Sequence, residues 1–453
     1  MYDEVYARPG VARPHYVDLL SELQRTGLAE LQERIADWVL VHGVTFGARD
    51  APLAVDPVPR VLTAEEWSEL DAGLVQRVRA LNAYVRDVHG QRRIVEAGVV
   101  PPSLVAFADH HEPAMAGVAE HGANPIAVAG LDVVRDDDGR FLVLEDNVRT
   151  PSGFAYVVAA RQASEVLFGE TPPLRDVDCA FDLLAGALRA AAPDGVEDPF
   201  VVQVSDGPSN PAWYEHVAVS RRLGLPLVRP RDLAVSGGAL VVEVDGDVRR
   251  VDVLYRRTNE ERLFDGDGRP TELGATVVEP VRRGLLGCAN AFGAGVADDK
   301  LAHAYVERMI GFYLGEEPRL RSVPTFDLAD AAVREEVLGR IDEMVIKPRS
   351  ESGGHGVLVG PHADAEDRER ARRAVSEDPE AFVAQETVWL SCHPTVVDGR
   401  LAARHVDLRA FVFVTVDGAT ALPGGLTRVA LDEGALVVNS SQDGGAKDTW
   451  VLR

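Results

Sequence analysis

Residues 343–360 read EMVIKPRSESGGHGVLVG, which predicts a strand, a glycine-rich loop and a second strand. A lysine at the end of a buried strand points one cation into a cleft. Glycines have no Cβ, so their backbone N–H groups can approach phosphate oxygens, and serine hydroxyls add further donors. An ordinary flexible hairpin loop has a similar composition, so this stretch alone leaves both interpretations open. The candidate phosphate-binding residues are Lys347, Ser350, Ser352, Gly353, Gly354 and Gly356.

A second predicted hairpin, at residues 126–148, carries candidate metal ligands. The apolar runs IAVAGLDVV and FLVLEDNV flank the turn RDDDGR, and Asp-Gly between such runs is a strong hairpin signal. Glu145 and Asn147 are two positions apart and share a strand face, and Asp132 comes opposite them on the partner strand. Carboxylate and amide oxygens suit Mg²⁺ that is shared with nucleotide phosphates. The alternative is a solvated polar face, although charge at the end of so apolar a strand is costly without a partner.

Weaker signals follow towards the end of the chain. Gln385 and Glu386 close an apolar run, which is typical of a strand edge that reads an adenine and equally of a surface strand end. Arg409 in HVDLR and Arg428 in GGLTRVA carry guanidinium forks that match phosphate or carboxylate oxygens. Lone arginines are usually surface residues, so each signal is weak by itself. Asn439 lies further along, in VVNSSQDGG.

The remaining pattern predicts an α/β protein with more than one lobe. Amphipathic helices are expected at 15–42 and 64–97, and a further helix at 153–168. Residues 200–233 predict a strand, a helix and a second strand, hence a βαβ unit with parallel pairing. The stretch at 427–441 predicts a hairpin. The boundaries of these lobes are expected near 170–198 and 285–298.

The βαβ lobe supplies candidate substrate-binding residues. Arg256 and Arg257 end a predicted strand, and open α/β sheets place ligands outside the carboxyl ends of their strands. One of these arginines is a candidate for holding a substrate carboxylate, although a salt bridge to Glu260 or Glu261 explains them equally well. Ser209 and Asn210, in the loop after the first strand of the unit, belong to the same class of candidate.

Composition restricts the classes of partner. The 453 residues include Asp+Glu 72 against Lys+Arg 47, and the formal net charge of −25 argues against non-specific binding to nucleic acid. No apolar run approaches the roughly 18 residues that span a bilayer, and the N-terminus does not resemble a signal peptide. Three scattered cysteines make a disulfide framework improbable. A soluble, cytoplasmic protein is therefore expected.

Taken together, these motifs resemble the ATP-grasp superfamily, and specifically its circularly permuted type 2 family, which is similar to glutathionylspermidine-synthase-like ligases. Asp299-Lys300 matches the superfamily's helix start, and Gln385-Glu386 its adenine hinge. The hairpin with Glu145 normally comes last, whereas here it precedes the other elements. The resemblance implies four regions: a helical N-terminal region (1–125), the metal-ligand hairpin (126–170), a Rossmann-like lobe (171–295) and the nucleotide-binding subdomains (296–453).

The family implies an ATP-dependent, Mg²⁺-using ligase that joins a carboxylate to an amine through an acyl phosphate. Small molecules or peptides would supply both groups. On this resemblance Asp132, Glu145 and Asn147 bind the metal, and a loop at 350–356 acts as a lid. The implied catalytic residues are Lys347, Arg409 and Arg428; the implied nucleotide contacts include Lys300, Gln385, Glu386 and Asp407; and Asn439 faces the transferred phosphoryl group and the metal.

Two other functions fit the same fold. A kinase would transfer the phosphoryl group without an amine acceptor, and a non-catalytic subunit would bind the nucleotide within a complex. The metal hairpin and both lysines disfavour the second alternative, because a non-catalytic subunit has no need of a metal site. Neither the substrates nor the oligomeric state can be inferred from the sequence.

Overall fold

The computed structural model describes residues 1–47, 51–117, 124–168, 171–258, 262–350, 356–436, 438 and 444–453. The α-helices within these residues are α1 (Val17–Thr26), α2 (Leu28–Val41), α3 (Ala64–His89), α4 (Arg93–Glu96), α5 (Pro102–Ala106), α6 (Phe154–Leu167), α7 (Ala180–Ala190), α8 (Trp213–Leu223), α9 (Glu272–Arg282), α10 (Lys300–His303), α11 (Val306–Leu314), α12 (Ala331–Gly339) and α13 (Ala365–Glu377).

The strands form several separate sheets, so the fold is mixed α/β. They are β1 (Tyr6–Arg8), β2 (Val11–Ala12), β3 (Thr45–Phe46), β4 (Ala51–Pro52), β5 (Val55–Leu62), β6 (Val128–Arg135), β7 (Phe141–Asn147), β8 (Val201–Ser205), β9 (Leu227–Val228), β10 (Leu233–Ser236), β11 (Ala239–Val244), β12 (Asp247–Arg250), β13 (Val253–Arg257), β14 (Gly287–Ala289), β15 (Arg321–Ser322), β16 (Thr325–Asp327), β17 (Met344–Pro348), β18 (Leu358–Val359), β19 (Phe382–Glu386), β20 (Cys392–Val397), β21 (Arg400–Thr415), β22 (Gly418–Ala421), β23 (Leu426–Val429) and β24 (Gly445–Val451).

The largest sheet of the described residues, here called the central sheet, has the strand order β15-β7-β6-β21-β23-β24-β5, with β20 and β22 also paired to β21. The predicted acidic hairpin is confirmed, because β6 and β7 pair antiparallel with Asp132 opposite Glu145. β6 then pairs with β21, a strand from the far end of the chain, with Asp132 opposite Arg409. The central sheet therefore joins residues from opposite ends of the sequence.

Helices cover both faces of the central sheet. The long helix α3 begins at a capping box in which Thr63 and Glu66 satisfy each other's backbone N–H groups. Its apolar side packs with Leu131 and Val133 of β6 in one buried cluster. On the other face Phe154 of α6 packs edge-on against Phe411 and Phe413 of β21. These two layers bury β6 and the second half of β21 on both sides, which explains the apolar run Ala410–Val414 of β21 and the apolar residues around Asp132 in β6.

A separate four-stranded sheet has the order β14-β13-β8-β9. All of its pairings are parallel, and α8 connects β8 to β9, so the predicted βαβ unit is confirmed. Another four-stranded sheet, β16-β19-β17-β18, is antiparallel and contains the strand pair predicted around residue 347. This sheet is called the small sheet below.

Three predictions about elements need correction. The helix expected at 64–97 ends at His89, and a separate short helix, α4, follows it. The helix expected at 15–42 is split into α1 and α2 at Gly27, whose φ of 92° is incompatible with a continuing α-helix. The hairpin expected at 427–441 is wrong in its return arm, because β23 pairs with β24 instead, and residues 435, 436 and 438 lie outside any strand. β24 also pairs with β5 on its other side, so it forms ladder hydrogen bonds with both neighbours.

Within the described residues, no helix combines the length and the apolar character needed to cross a membrane.

Candidate functional site

A cleft of about 1940 Å³, open solvent included, lies between the central sheet and the small sheet. Glu145 of β7 and Lys347 of β17 both line it, so residues that are distant in sequence share one cavity. The predicted site residues that line this cleft are Asp132, Glu145, Asn147, Lys300, Lys347, Ser350, Gln385, Glu386, Asp407, Arg409 and Arg428.

A lattice of paired charges crosses the floor of the cleft on the central sheet. Strand register places Asp132 opposite Arg409, and Asp407 opposite Arg428. Arg409 donates to both oxygens of Asp132 at 2.7 and 2.8 Å. Arg428 bridges the two acids, at 2.8 Å from Asp132 Oδ2 and 2.9 Å from Asp407 Oδ1. Cross-strand ion pairs of this kind fix both guanidinium groups in position.

Burial and pairing act in opposite directions on these acids. Burial would raise the pKa of Asp132, but Arg409 and Arg428 outweigh it and hold that pKa at about 2. Burial raises the pKa of Asp407. Arg428 offsets this effect less completely than the two arginines do at Asp132, and Asp132 adds a like charge. The same acids raise the pKa of Arg428 despite its burial. Arg428 therefore stays cationic at the centre of the site.

The opposite wall of the cleft is richer in positive charge. Lys347 points in from β17 and Lys300 from the first turn of α10, where Glu145 Oε1 lies 3.8 Å from Lys300 Nζ. Among the described residues, none forms an ion pair or hydrogen bond with the Lys347 ammonium group. Burial lowers the pKa of Lys347 to about 8, with Lys300 acting in the same direction and Glu145 against it. This wall is therefore suited to an anionic ligand.

The start of α10 is held by a side-chain cap. Asp299 Oδ1 accepts a hydrogen bond from Leu301 N at 2.8 Å. Arg349 donates to both oxygens of Asp299, from Nε to Oδ1 at 3.0 Å and from Nη2 to Oδ2 at 2.8 Å. Arg349 lies two positions after Lys347 and lines the same cleft, but the sequence analysis did not single it out. The alternation of side chains along an extended segment would have pointed to Arg349, because residues two positions apart lie on the same face.

At one end of the cleft Gln385 offers an unused acceptor. Its Nε2 donates to Leu144 O at 3.3 Å and to Thr325 Oγ1 at 3.0 Å. Leu144 O can only accept a hydrogen bond. Thr325 Oγ1 uses its own proton to donate to Val323 O, so it too accepts from Gln385 Nε2. This fixes the orientation of the amide. Its buried Oε1 has no hydrogen-bond partner among the described residues and is available to a donor from a ligand.

The residue between the two metal-ligand candidates fixes the orientation of this part of β7. Asp146 lies between Glu145 and Asn147 and points to the other face of β7. There Arg77 donates to it at 2.6 and 2.7 Å, and His303 lies 2.8 Å away. Arg77 and His303 hold the pKa of Asp146 well below its usual range despite burial. His303 belongs to α10, so the same contact fixes Lys300 relative to Glu145.

The chemistry of the donor set fits a magnesium ion held partly by a ligand. Within the described residues, no group of three or more His, Cys, Asp and Glu side chains is arranged to hold a metal. Glu145 is one-third exposed and only loosely paired. The buried Nδ2 of Asn147 has no partner in the described residues and could donate to a phosphate oxygen, while its amide oxygen is the candidate metal ligand. Mg²⁺ is commonly bound by one or two carboxylates together with phosphate oxygens and water. Asp132 suits this role less well, because arginines already occupy both of its oxygens.

The candidate substrate residues of the parallel sheet are absent from the cleft lining. Arg257 donates to Pro151 O at 2.9 Å and to Ser152 Oγ, and it pairs with Glu215 at 3.2 Å. It thus clamps the loop before α6, and that placement does not support direct contact with a substrate. Its alternative partners Glu260 and Glu261 lie outside the described residues. The remaining parallel-sheet candidates whose side chains are absent from the lining are Arg256, Ser209 and Asn210.

Other predicted residues are not placed in the cleft either. Arg256 stacks over Phe292 at 4.5 Å, Ser209 is exposed, and Asn210 Oδ1 accepts from Ala212 N at 3.0 Å. Gly356 lies beside Pro348, with a φ of 69° that favours glycine. Ser352, Gly353, Gly354 and Asn439 lie outside the described residues.

One end of the cleft is formed by residues that no sequence motif predicted. Asp109, His110 and Arg149 line it there, with Arg149 Nη1 at 2.7 Å from His110 Nε2. The apolar side chains of Phe46 and Tyr156 form a neighbouring wall, with ring centroids 5.5 Å apart. These residues come from loops, from the short strand β3 and from α6, without a recognisable motif, so only their position in space identifies them.

Comparison with known proteins adds an independent line of argument. The chain is 41% identical over 472 residues to a protein of Frankia alni named "Putative glutamate--cysteine ligase 2-3", an alignment covering 100% of this chain and 54% of that protein. An uncharacterized protein of Mycobacterium tuberculosis is 40% identical over 461 residues, covering 100% of this chain and 84% of the relative. An uncharacterized protein of Synechocystis is 37% identical over 466 residues, covering 100% and 97%.

The chain thus spans about half the length of the Frankia relative, which is 54% covered. A family model described as "Circularly permuted ATP-grasp type 2" matches residues 59–430, more than half of the chain and including every cleft strand named above, so the chain belongs to this family.

Proposed function

We propose that this chain is an ATP-dependent ligase that joins a carboxylate to an amine through an acyl phosphate, releasing ADP and phosphate. One observation carries the proposal: Glu145 and Lys347, whose ammonium group has no partner among the described residues, line a single cleft together with the Arg409–Arg428 lattice. Phosphoryl transfer depends on charge neutralisation and alignment more than on covalent help from the protein. The cleft offers both.

The family's usual lobes are assigned as part of the proposal. The parallel sheet β14-β13-β8-β9 with α8 is the Rossmann-like lobe, within residues 171–295. The helices before residue 125 form the N-terminal region, β6 and β7 the metal hairpin of 126–170, and residues 296–453 the nucleotide-binding subdomains.

ATP would lie with its base against the hinge at Gln385 and Glu386. The free Oε1 of Gln385 is an acceptor suited to the exocyclic amine of adenine. The triphosphate would extend towards Lys347 and Lys300, whose positive charge Glu145 only partly balances. Ser350 stands at the start of the predicted lid and adds a hydroxyl donor.

Mg²⁺ would be held by Glu145 and Asn147 together with the β- and γ-phosphates. When bound, the ion would neutralise charge on the transferred phosphoryl group. We assign Asp132, together with Asp407, a different main role, because these two acids hold Arg409 and Arg428 in place. Two arginines fixed before the substrate arrives need no reorganisation to stabilise the negative charge that develops during transfer.

The substrate carboxylate would approach Arg409, whose side chain keeps 19% of its surface exposed beside the lattice. Its oxygen would attack the γ-phosphorus, and the bond between that phosphorus and ADP would break. The amine would then form a bond to the acyl carbon while phosphate leaves. Because Frankia relatives carry the words glutamate and cysteine in their names, L-glutamate and L-cysteine are the first substrates to test.

The test is an ATPase assay with Mg²⁺, L-glutamate and L-cysteine, extended to pooled amino acids, in which ADP and phosphate are measured together. A ligase forms the two in equal amounts, whereas a kinase forms ADP and a phosphorylated acceptor without free phosphate. Hydroxylamine replacing the amine should trap the acyl phosphate as a hydroxamate. ADP formation without phosphate or hydroxamate would favour the kinase, and no ATP binding at all would reject both enzymes.

A matched pair of variants tests the metal assignment. Glu145→Gln should lower turnover at least about 100-fold, since one charged ligand or donor at a transition state commonly contributes that much. Asp138→Asn removes a charge from the exposed turn of the same hairpin and should leave turnover unchanged. Equal activity of Glu145→Gln and the unmodified chain would contradict the metal assignment.

A further inference from the structure

Most carboxylates that line the cleft form short ion pairs with arginines. Asp299 pairs with Arg349 at 2.8 Å. Asp298 pairs with Arg149 at 2.9 Å and also accepts from the backbone N–H groups of Val148 and Arg149, at 2.6 and 3.1 Å. Together with the Asp132–Asp407 lattice, these acids have no free charge to offer a ligand.

Asp109 is different. Its carboxylate lies 3.6 Å from Arg262, and both side chains are about half exposed, 47% and 51%. A pair so exposed contributes little and exchanges its partner easily. Glu145 and Glu386 are also loosely paired, but Glu145 faces the lysines and Glu386 the hinge. Among the described cleft residues, Asp109 is thus the loosely held carboxylate at the end away from the hinge.

The position of Asp109 follows from β7, which runs along the cleft. The hinge contacts β7 at Leu144 O, the metal candidates follow at Glu145 and Asn147, and Arg149 then reaches His110, the neighbour of Asp109. At about 3.3 Å per extended residue, Leu144 lies about 10 Å from Asn147, the last residue of β7, and Arg149 follows two positions later. Asp109 therefore lies past the metal-ligand candidates, at the end of the cleft away from the hinge, which is the side where the proposed second substrate would enter.

The surroundings of Asp109 leave its negative charge exposed to a ligand. Arg149 is balanced by Asp298. Because a guanidinium group only donates, His110 Nε2 accepts the hydrogen bond from Arg149, and the proton of the neutral ring is on Nδ1. Neither neighbour therefore competes with an incoming cation for the Asp109 carboxylate.

We propose that Asp109 binds the ammonium group of the amine substrate by displacing Arg262, and so orients the amine towards the acyl phosphate. The inference rests on the proposed ligase function and adds to it the charge of the second substrate: a primary amine that arrives as a cation. In this role Asp109 is a specificity-determining residue, and it takes no part in phosphoryl transfer.

The experiment measures amine binding by calorimetry, with the chain saturated by Mg²⁺ and a non-hydrolysable ATP analogue. The probes are L-cysteine, glycine, ethylamine and spermidine. At least one should bind, and Asp109→Asn should weaken it about tenfold or more, as expected for a hydrogen bond to a charged group. The affinity for the ATP analogue should change less than about twofold, and trapping by hydroxylamine, which is mostly neutral at pH 7.5, should persist.

Two control variants separate this role from a structural one. Arg262→Gln keeps the carboxylate and removes its competitor, so amine affinity should stay equal or increase. Asp267→Asn removes an exposed acid paired with Arg269 and absent from the cleft lining, and should have no effect. Equal weakening by Asp109→Asn and Arg262→Gln, unchanged binding in Asp109→Asn, or no amine binding to the unmodified chain would each overturn the inference. If the ATP analogue fails to bind or no hydroxamate forms in the unmodified chain, the proposed function fails instead.

Discussion

Two lysines of this chain occupy enclosed positions, and their surroundings differ. Lys447 of β24 is 0% exposed and pairs with Asp56, while its ammonium group also donates to Pro394 O at 3.0 Å and Val58 O at 3.3 Å. Lys347 of β17 is partly exposed to the cleft, and its ammonium group forms no hydrogen bond or ion pair with any of the described residues. Burial lowers the pKa of both groups.

This difference indicates that the charge of Lys447 stabilises the fold, whereas the charge of Lys347 is available to a ligand. A buried charge is tolerated when a counter-charge and hydrogen bonds satisfy it, as around Lys447. A partly enclosed charge without these partners costs stability, and such a cost is typical of functional sites. The contrast predicts that the two lysines respond oppositely to the same substitution.

The largest effect is expected from Lys447→Met. It leaves Asp56 buried without its cation, and breaking a buried pair in this way costs about 3–5 kcal/mol in the free energy of unfolding. Urea denaturation measures this loss. Wherever the variant is folded, its affinity for ATP should match that of the unmodified chain. The double variant Lys447→Met/Asp56→Leu removes both charges and should recover part of the stability. A stable single variant would show that this pair does not support the fold.

Lys347→Met should have the reverse profile. ATP should bind about 100-fold more weakly, which corresponds to about 2.7 kcal/mol, because the enclosed triphosphate loses one of its cations. The free energy of unfolding should be unchanged or slightly higher, since no counter-charge is left behind. Calorimetry with ATP and Mg²⁺, beside urea denaturation, gives both values. Loss of stability with unchanged ATP affinity would reverse the comparison.

A smaller effect is expected from pH. The pKa of Lys347 is about 8 in the free chain, so the cationic fraction falls as the pH rises through 8. ATP binds the cationic form, and its affinity should therefore decrease by up to about tenfold per pH unit above 8. In Lys347→Arg the side chain stays charged throughout this range, and the decrease should disappear. Titrations of ATP binding at pH 7, 8 and 9 measure this decrease in affinity. An equal decrease in both proteins would assign the pH dependence to another group.

Local signals in the sequence predicted much of the fold. The Asp-Gly turn predicted that β6 and β7 pair, with Asp132 roughly opposite Glu145. A β-bulge between Asp132 and Val133, which the turn did not predict, shifts the register by one residue and makes these two residues direct partners. The alternating apolar and turn residues likewise predicted the βαβ unit. The partner of β23 was mispredicted, because a hairpin pattern describes near neighbours, whereas β24 is stabilised by the distant strand β5.

The site residues, like the strands, were predictable where a local motif carries them and unpredictable where distant elements meet. The residues carried by motifs, such as Lys347 and Gln385, were predicted to meet in one cleft and do so. Contacts made by side chains across elements were not predictable: Arg257 was expected near a substrate or near Glu260 and Glu261, yet it pairs with Glu215. Asp109 and His110 belong to no pattern, and their relation to the cleft depends on Arg149, which comes from another element.

The pairing of β6 with β21 has a consequence for synthesis of the chain on the ribosome. A nascent chain that ends before Arg400 contains Asp132 and Glu145 but lacks Arg409 and Arg428, which neutralise the acids of the lattice. Until β21 and β23 emerge, β6 has no strand on that side and Asp132 has no counter-charge. On the proposed function, the site is therefore complete only once residues up to Val429 of β23 have been synthesised, and a chain that stops before Arg400 should be unable to consume ATP.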